Sequence, residues 1–238
     1  VGLFADLHFA PTQSSADNLL REGRVAETVF ITGNTVLDAL LTVSRRIDED
    51  QVLAAELASR FPYLDANKKL VLVTGHRREN FGDGFLNICR ALAKLAERGD
   101  TQIVYPVHLN PNVQQPVNAT LQGLANVHLI DPQDYLPFVY LLKRAHVILT
   151  DSGGIQEEAP TLGKPVLVMR DTTERPEAVA AGTALLVGTD TQRIVTEVSI
   201  LLDDSAAYAK MAQASNPYGS GDAAQQIVQL IQRWEPAA

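Results

Sequence analysis

The chain has 238 residues of which 46% are hydrophobic, enough to bury a substantial core and near the upper size for one domain. Twenty basic against twenty-eight acidic residues leave a net charge of −8, which argues against nucleic acid or an anionic membrane as a partner. No apolar run approaches the roughly 20 residues needed to cross a bilayer, and no basic segment leads into an apolar one at the N-terminus, so a cytoplasmic chain is expected.

In chain order, the opening VGLFADLHFAPT reads as the last helix and strand of something larger, with no initiator Met. Residues 1–32 are therefore expected to be the remnant of an N-terminal domain and a linker. Short β-branched or apolar runs at 29–32, 70–74, 103–107, 127–130, 147–150, 165–169 and 184–187 predict seven strands. Helical patterns lie between them at 36–60, 85–96, 111–124, 136–143, 155–162, 176–180 and 192–202. The breaker cluster NPYGSGD, from Asn216, separates the stretch up to Ala214 from a last helix over 223–234.

This alternation predicts an α/β fold, a parallel-sheet Rossmann-like domain over 33–220 with helices on both faces. The strands are continuous apolar runs, as expected when both faces are covered. Residues 221–238 are expected to pack on the N-terminal domain. The one cysteine, Cys89, shares a helical face with Phe85, Ile88, Leu92 and Leu95, so it reads as a buried apolar residue with no internal disulfide partner.

Ligands of such sheets sit beyond the carboxyl ends of the strands. There the sequence places GHRREN from Gly75, HLNP from His108, DPQDY from Asp131 and RDTTERPE from Arg170, so polar and cationic groups converge on one edge. Between the strand at 147–150 and the next helix stands Ser152-Gly153-Gly154, followed by Glu157 and Glu158. Bare glycines let a phosphate approach the backbone, and the helix N-terminus supplies N–H groups and a favourable dipole. A carboxylate one turn on can accept hydrogen bonds from two ribose hydroxyls. The segment matches neither the six-residue dinucleotide fingerprint nor the phosphate loop ending in Gly-Lys-Ser/Thr, so a nucleotide-sugar diphosphate fits better than hydride or phosphoryl transfer. The structural alternative is a tight turn whose acidic residues complement the helix dipole.

Other residues carry paired readings. His76 could meet a phosphate or transfer a proton, or bond a loop carbonyl. Arg77 and Arg78 could clamp an anion or form a solvated pair. Arg175 could reach phosphates or partner Glu174 or Glu177, and His108 could bind its own loop. Phe138 reads as core, or with Gln133 as the border of a slot for uracil. His8, His128 and His146 lack acidic or cysteine neighbours at ligand spacing, so no zinc site is predicted.

Together, VTGHRRENFG from Val73, YPVHLNP from Tyr105, DPQDYLPF from Asp131, LTDSGGIQEEAPTLGKPVLVMRDTTERPE from Leu149 and NPYG from Asn216 closely resemble the non-hydrolysing UDP-N-acetylglucosamine 2-epimerases. The resemblance covers nearly all of the chain, with five motifs in order. It implies the C-terminal half of a two-domain glycosyltransferase-B-like fold, with UDP in the cleft. By resemblance Ser152, Gly153 and Gly154 bind the diphosphate, Glu158 the ribose, Gln133 and Phe138 the uracil, and His76 and Arg175 face the phosphates and sugar. It further implies interconversion of UDP-GlcNAc and UDP-ManNAc by elimination and re-addition of UDP through a 2-acetamidoglucal, in polysaccharide biosynthesis, with no metal or redox cofactor. His76 is the catalytic candidate. Arg77 and His108 are candidates for a site that takes an allosteric UDP-GlcNAc, and the resemblance implies a homodimer.

The family's N-terminal motif rich in Gly, Thr, Arg, Pro and Glu has no counterpart here, nor do the acidic residues that handle the C2 proton. The expectation is a chain that binds UDP weakly and does not epimerise alone. A UDP-sugar glycosyltransferase and a non-catalytic UDP-sugar-binding module are the alternatives.

Overall fold

A computed structural model describes residues 4–234. By internal contacts it divides into two units, one formed by the residues up to Val43 together with those from Asn216 onward, the other by Ser44–Ser215.

In the first unit, strands β1 (His8–Ala10) and β2 (Val29–Ile31) pair in parallel, with His8 opposite Val29. Helix α1 (Gln13–Arg21) connects them, capped by Thr12, whose hydroxyl accepts the Ser15 N–H at 3.2 Å. Helix α2 (Thr35–Glu49) begins in this unit. Its Asp38 caps the C-terminal helix (Ala223–Arg233) from outside, accepting the N–H groups of Ala223 at 3.2 Å and Ala224 at 2.9 Å.

The second unit holds α3 (Gln51–Ser59), β3 (Lys69–Thr74), α4 (Asp83–Leu95), β4 (Thr101–Pro106), α5 (Pro111–Leu121), β5 (Val127–Ile130), α6 (Tyr135–Arg144) and β6 (Val147–Thr150). It continues through α7 (Ile155–Thr161), β7 (Val166–Val168), α8 (Pro176–Ala180), β8 (Ala184–Leu186), α9 (Thr191–Asp203) and α10 (Ser205–Ala212). The six strands form one sheet in the order β5-β4-β3-β6-β7-β8, and every pair is parallel. From β3 the chain first builds outward through β4 and β5, then crosses to β6 on the other side of β3. The order reverses there, between β3 and β6, and opens a crevice beyond their carboxyl ends.

Alternation along the strands explains the apolar runs. Val71, Val73, Ile103, Tyr105, Val147, Leu149, Leu167 and Met169 face a core shared with α4, α5 and α9. The intervening Leu72, Val104, Ile148, Val166 and Val168 are also fully buried, so neither face of these strands carries a solvent-facing pattern. Helix α4 supplies Phe85, Ile88, Cys89, Leu92 and Leu95 at the spacing of one helical stripe. Burial there pushes the Cys89 thiol up to about 12, a thiol and not a nucleophile at neutral pH.

The single helix expected over 36–60 is two. Asp50 leaves the helical region at φ −99° and ψ 94°, and its carboxylate accepts the Leu53 N–H at 3.0 Å to start α3. Helices α1 and α10 stand outside the expected set. Only Ala16 is buried in α1 and no residue in α10, so neither carries an apolar stripe that a periodicity could reveal. Among the described residues no helix is long and apolar enough to cross a membrane.

Candidate functional site

The site is built where β3 and β6 end side by side. Thr74 lies opposite Thr150, and their hydroxyls are 2.6 Å apart. Next in line is Asp151, fully buried, whose Oδ2 accepts the backbone N–H of His76 at 2.9 Å, that of Arg77 at 2.8 Å and Asn80 Nδ2 at 3.4 Å. One carboxylate oxygen thus ties the loop after β3 to the end of β6. From beneath, the buried Tyr105 hydroxyl donates to the Gly75 carbonyl at 2.9 Å. A Cβ on Gly75 would lie 3.1 Å from that hydroxyl and 3.3 Å from Met169 Cε, so a larger residue there would have to push both side chains back by a few tenths of an ångström.

Beyond Asp151 the chain passes Ser152, Gly153 and Gly154 into α7. Neither glycine has positive φ, and Gly154 is already helical at φ −62° and ψ −39°. Their contribution is therefore room at the backbone. A Cβ on Gly153 would stand 3.9 Å from both Arg175 Cζ and Arg77 Nη2, so two guanidiniums from separate loops flank a bare helix entrance. That combination favours an anion with several acceptor oxygens.

The two arginines are held in place. Arg175 Nε donates to Glu157, a buried carboxylate on α7, and Arg175 Nη1 donates to the Glu174 carbonyl at 3.1 Å. Glu157, a carboxylate the sequence had not offered as its partner, forms an ion pair with Arg175. Arg77 Nη1 donates to Glu174 Oε1 at 3.4 Å. Glu174 is shared with the buried Arg170, which reaches it at 2.5 and 3.0 Å and also pairs with Glu79. The Arg170 guanidinium holds the Glu174 carboxyl down at about 2. Further support comes from Thr173, which donates to Gln156 Oε1 at 2.6 Å, while Gln156 Nε2 donates to the Ser152 carbonyl at 3.1 Å.

One turn into α7, Glu158 is half-buried with Oε1 3.6 Å from the Cβ position of Gly154. Burial, then the charge of Glu157, raise its carboxyl to about 7, against a lowering hydrogen bond from Tyr135. Its Oε2 is buried with no hydrogen-bond partner. Tyr135 opens α6, and Phe138, three residues on and half-buried, lies on the same helical face. Gln133 donates to the Asp131 carbonyl at 2.7 Å and lines a cavity of about 500 Å³ with Arg60, Tyr63, Gln114 and Asn118.

His76, Arg77 and His108 come together. With Arg78, Glu79 and Asn110 they line a second cavity of about 430 Å³. The His76 and His108 rings are stacked with centroids 5.2 Å apart and planes 16° apart. The other histidines with ring contacts serve packing: His128 stacks on Tyr63 and His146 on Tyr208, each at 4.2 Å, and burial lowers both. Among the described residues no group of three or more His, Cys, Asp or Glu side chains could hold a metal ion.

Sequence reasoning missed four organisers of this site: Asp151, Asn80, Glu157 as the partner of Arg175, and Arg170. Two of them, Asp151 and Arg170, lie within two residues of a strand end, the one positional signal that could have marked them.

A family model described as UDP-N-acetylglucosamine 2-epimerase matches residues 1–232. The chain is 60% identical over 231 residues to the UDP-N-acetylglucosamine 2-epimerase of Escherichia coli K12, covering 97% of this chain and 61% of that protein. It is 59% identical over 234 residues to a probable UDP-N-acetylglucosamine 2-epimerase of Ralstonia nicotianae, covering 98% of this chain and 62% of the relative. Among solved structures it is similar to the Neisseria meningitidis UDP-GlcNAc 2-epimerase bound to UDP-GlcNAc, with a TM-score of 0.92 and 48% identity over 98% of this chain and 63% of that one. The chain thus spans about 60% of the length of these relatives. Its architecture is that of the C-terminal-like half of the glycosyltransferase-B-like fold.

Proposed function

The chain belongs to the UDP-N-acetylglucosamine 2-epimerase family, and from that premise we propose that it supplies the UDP-holding half of a reversible C2 epimerisation of UDP-GlcNAc to UDP-ManNAc. The observation that carries this reading is the convergence of Arg77 and Arg175 on the bare backbone of Gly153, with Glu158 one turn further along the same helix. The diphosphate lies against Ser152, Gly153 and Gly154 between the two guanidiniums. The ribose hydroxyls donate to Glu158, and the base lies toward Phe138 and Gln133.

In the reaction, loss of the C2 proton and departure of UDP from C1 form a C1–C2 double bond, giving the 2-acetamidoglucal. Re-addition of UDP at C1 with a proton delivered to the opposite face of C2 gives the epimer. The C2 proton is weakly acidic, so stabilising the charge that develops on the leaving diphosphate lowers the barrier most. His76, on the cavity wall beside Arg77, meets that charge. The groups that handle the C2 proton belong to the part of the relatives' length outside this chain, so the 238 residues alone bind UDP without turnover. A second UDP-GlcNAc in the cavity of Arg77 and His108 would act as an activator. A homodimer in the cytoplasm completes the reading.

Calorimetric titration with UDP tests it, with Glu158→Ala and His76→Ala beside the wild type. Saturable binding that Glu158→Ala weakens about tenfold is expected, the scale of a hydrogen bond to a charged group. His76→Ala should weaken it less, because its interaction grows only as UDP departs. The absence of both saturable heat and thermal protection by UDP would overturn the assignment, and turnover by the purified chain would overturn its division of labour.

A further inference from the structure

Asp151 is a buried carboxylate of the crevice whose two oxygens have different surroundings. Oδ2 takes the N–H groups of His76 and Arg77 and the Asn80 amide, and so fixes the backbone that carries His76. Oδ1 is buried, has no hydrogen-bond partner and lies 3.8 Å from His76 Nδ1. A buried acceptor oxygen that no protein donor reaches is costly in a protein interior. A ring movement of about 1 Å brings the pair to hydrogen-bond distance.

We propose that Asp151 is a positioning residue for His76, accepting its Nδ1–H so that Nε2 is presented to the departing diphosphate. The proposal rests on the reading of His76 given above. The charged and titratable groups around the ring are Arg77, Arg78 and Glu79 on its own loop, His108 after β4 and Asp151 after β6. Arg77 is engaged with Glu174 and Glu79 with Arg170, which leaves Asp151 as the acceptor at Nδ1. The stacked His108 is oriented the other way, since its Nδ1 accepts the Asn110 N–H at 3.1 Å and its proton sits on Nε2. Two neighbouring imidazoles are thereby set in opposite tautomers by what faces each Nδ1, a carboxylate oxygen in one case and a backbone donor in the other.

The test is the tautomer of the neutral His76 ring, read by long-range proton–nitrogen NMR on the whole chain, with and without UDP. Nδ1–H is expected in the wild type. Asp151→Asn keeps an oxygen for the backbone N–H groups but turns an NH2 toward the ring, and should shift the proton to Nε2. Asn80→Ala removes a bond to Asp151 without touching its charge, and should leave Nδ1–H in place. An Nε2–H ring in the wild type overturns the proposal. So does an unchanged tautomer in Asp151→Asn, or a switch in Asn80→Ala, which would assign the effect to loop integrity. If Asp151→Asn fails to fold, the wild-type spectrum and Asn80→Ala still decide. Absence of UDP binding by the wild type would sink the functional reading alone, since the tautomer is read in the unliganded chain as well.

Discussion

At the amino ends of the sheet strands Gln102, Asn126 and Arg98 are engaged by neighbours, whereas at the carboxyl ends two buried carboxylate oxygens face no donor. On the amino side Gln102 accepts the Asp65 N–H at 3.0 Å and donates to the Asp65 carbonyl at 2.8 Å. Asn126 donates to the carbonyls of Thr101 at 2.9 Å and Arg98 at 3.2 Å, and Arg98 reaches both Asp100 and Asp203. On the carboxyl side Asp151 Oδ1 and Glu158 Oε2 are buried without a hydrogen-bond partner. Both lie at the crevice between β3 and β6 or on the helix that leads from it. The difference teaches that one rim closes the fold while the other turns carboxylate oxygens to its functional groups, Asp151 Oδ1 toward the His76 ring and Glu158 Oε2 toward any hydroxyl donor that enters.

The largest expected effect breaks the amino rim. Gln102→Ala leaves the Asp65 N–H and carbonyl without their partner and should cost about 1–3 kcal/mol in chemical denaturation. UDP affinity of the folded fraction should not change; a parallel loss of affinity would erase the distinction between the rims.

Next, Glu158→Gln should move stability and binding in opposite directions. The folded carboxyl, raised to about 7, holds its proton more tightly than the unfolded chain does at its ordinary value of 4.5. Its contribution to stability is fully present below 4.5 and is lost as the pH rises through about 7, so the melting temperature should carry a downward component across that window. Glu158→Gln should remove that component and weaken UDP binding about tenfold, as the loss of a charged acceptor requires. Melting curves and calorimetry from pH 5 to 8 check both, and identical pH profiles for the two proteins would contradict the assignment.

The smallest change sharpens the picture. Tyr135→Phe removes the hydroxyl that donates to Glu158 and should alter UDP affinity only about two- to fivefold, the scale of one neutral hydrogen bond near 1 kcal/mol. A larger loss would place Tyr135 against the ligand itself.

Much of this was legible in the linear chain because the signals are local. The buried strands are unbroken apolar runs, since helices cover both faces of the sheet, and Gly153-Gly154 announces room at the backbone by the side chains it lacks. The break at Asp50 was equally local, but the helical pattern on each side concealed it until the cap geometry appeared. Helices α1 and α10 left no trace because they bury almost nothing.

What the chain determined by itself is therefore the element pattern, the glycine-lined turn and the set of charged residues at strand ends. The tertiary structure decided which of those charges meet: Arg175 with Glu157, Arg170 with Glu79 and Glu174, and Asp151 with the His76 loop 75 positions away. The pairings of Asp151 with the His76 loop and of Arg170 with Glu79 follow from the reversal of strand order that sets β3 beside β6, a long-range feature no local spacing encodes, whereas Arg170 and Glu174 meet at four-residue spacing within one loop. Burial then turned neighbouring carboxylates to different uses, Glu157 as the partner of an arginine and Glu158 as an unfilled acceptor.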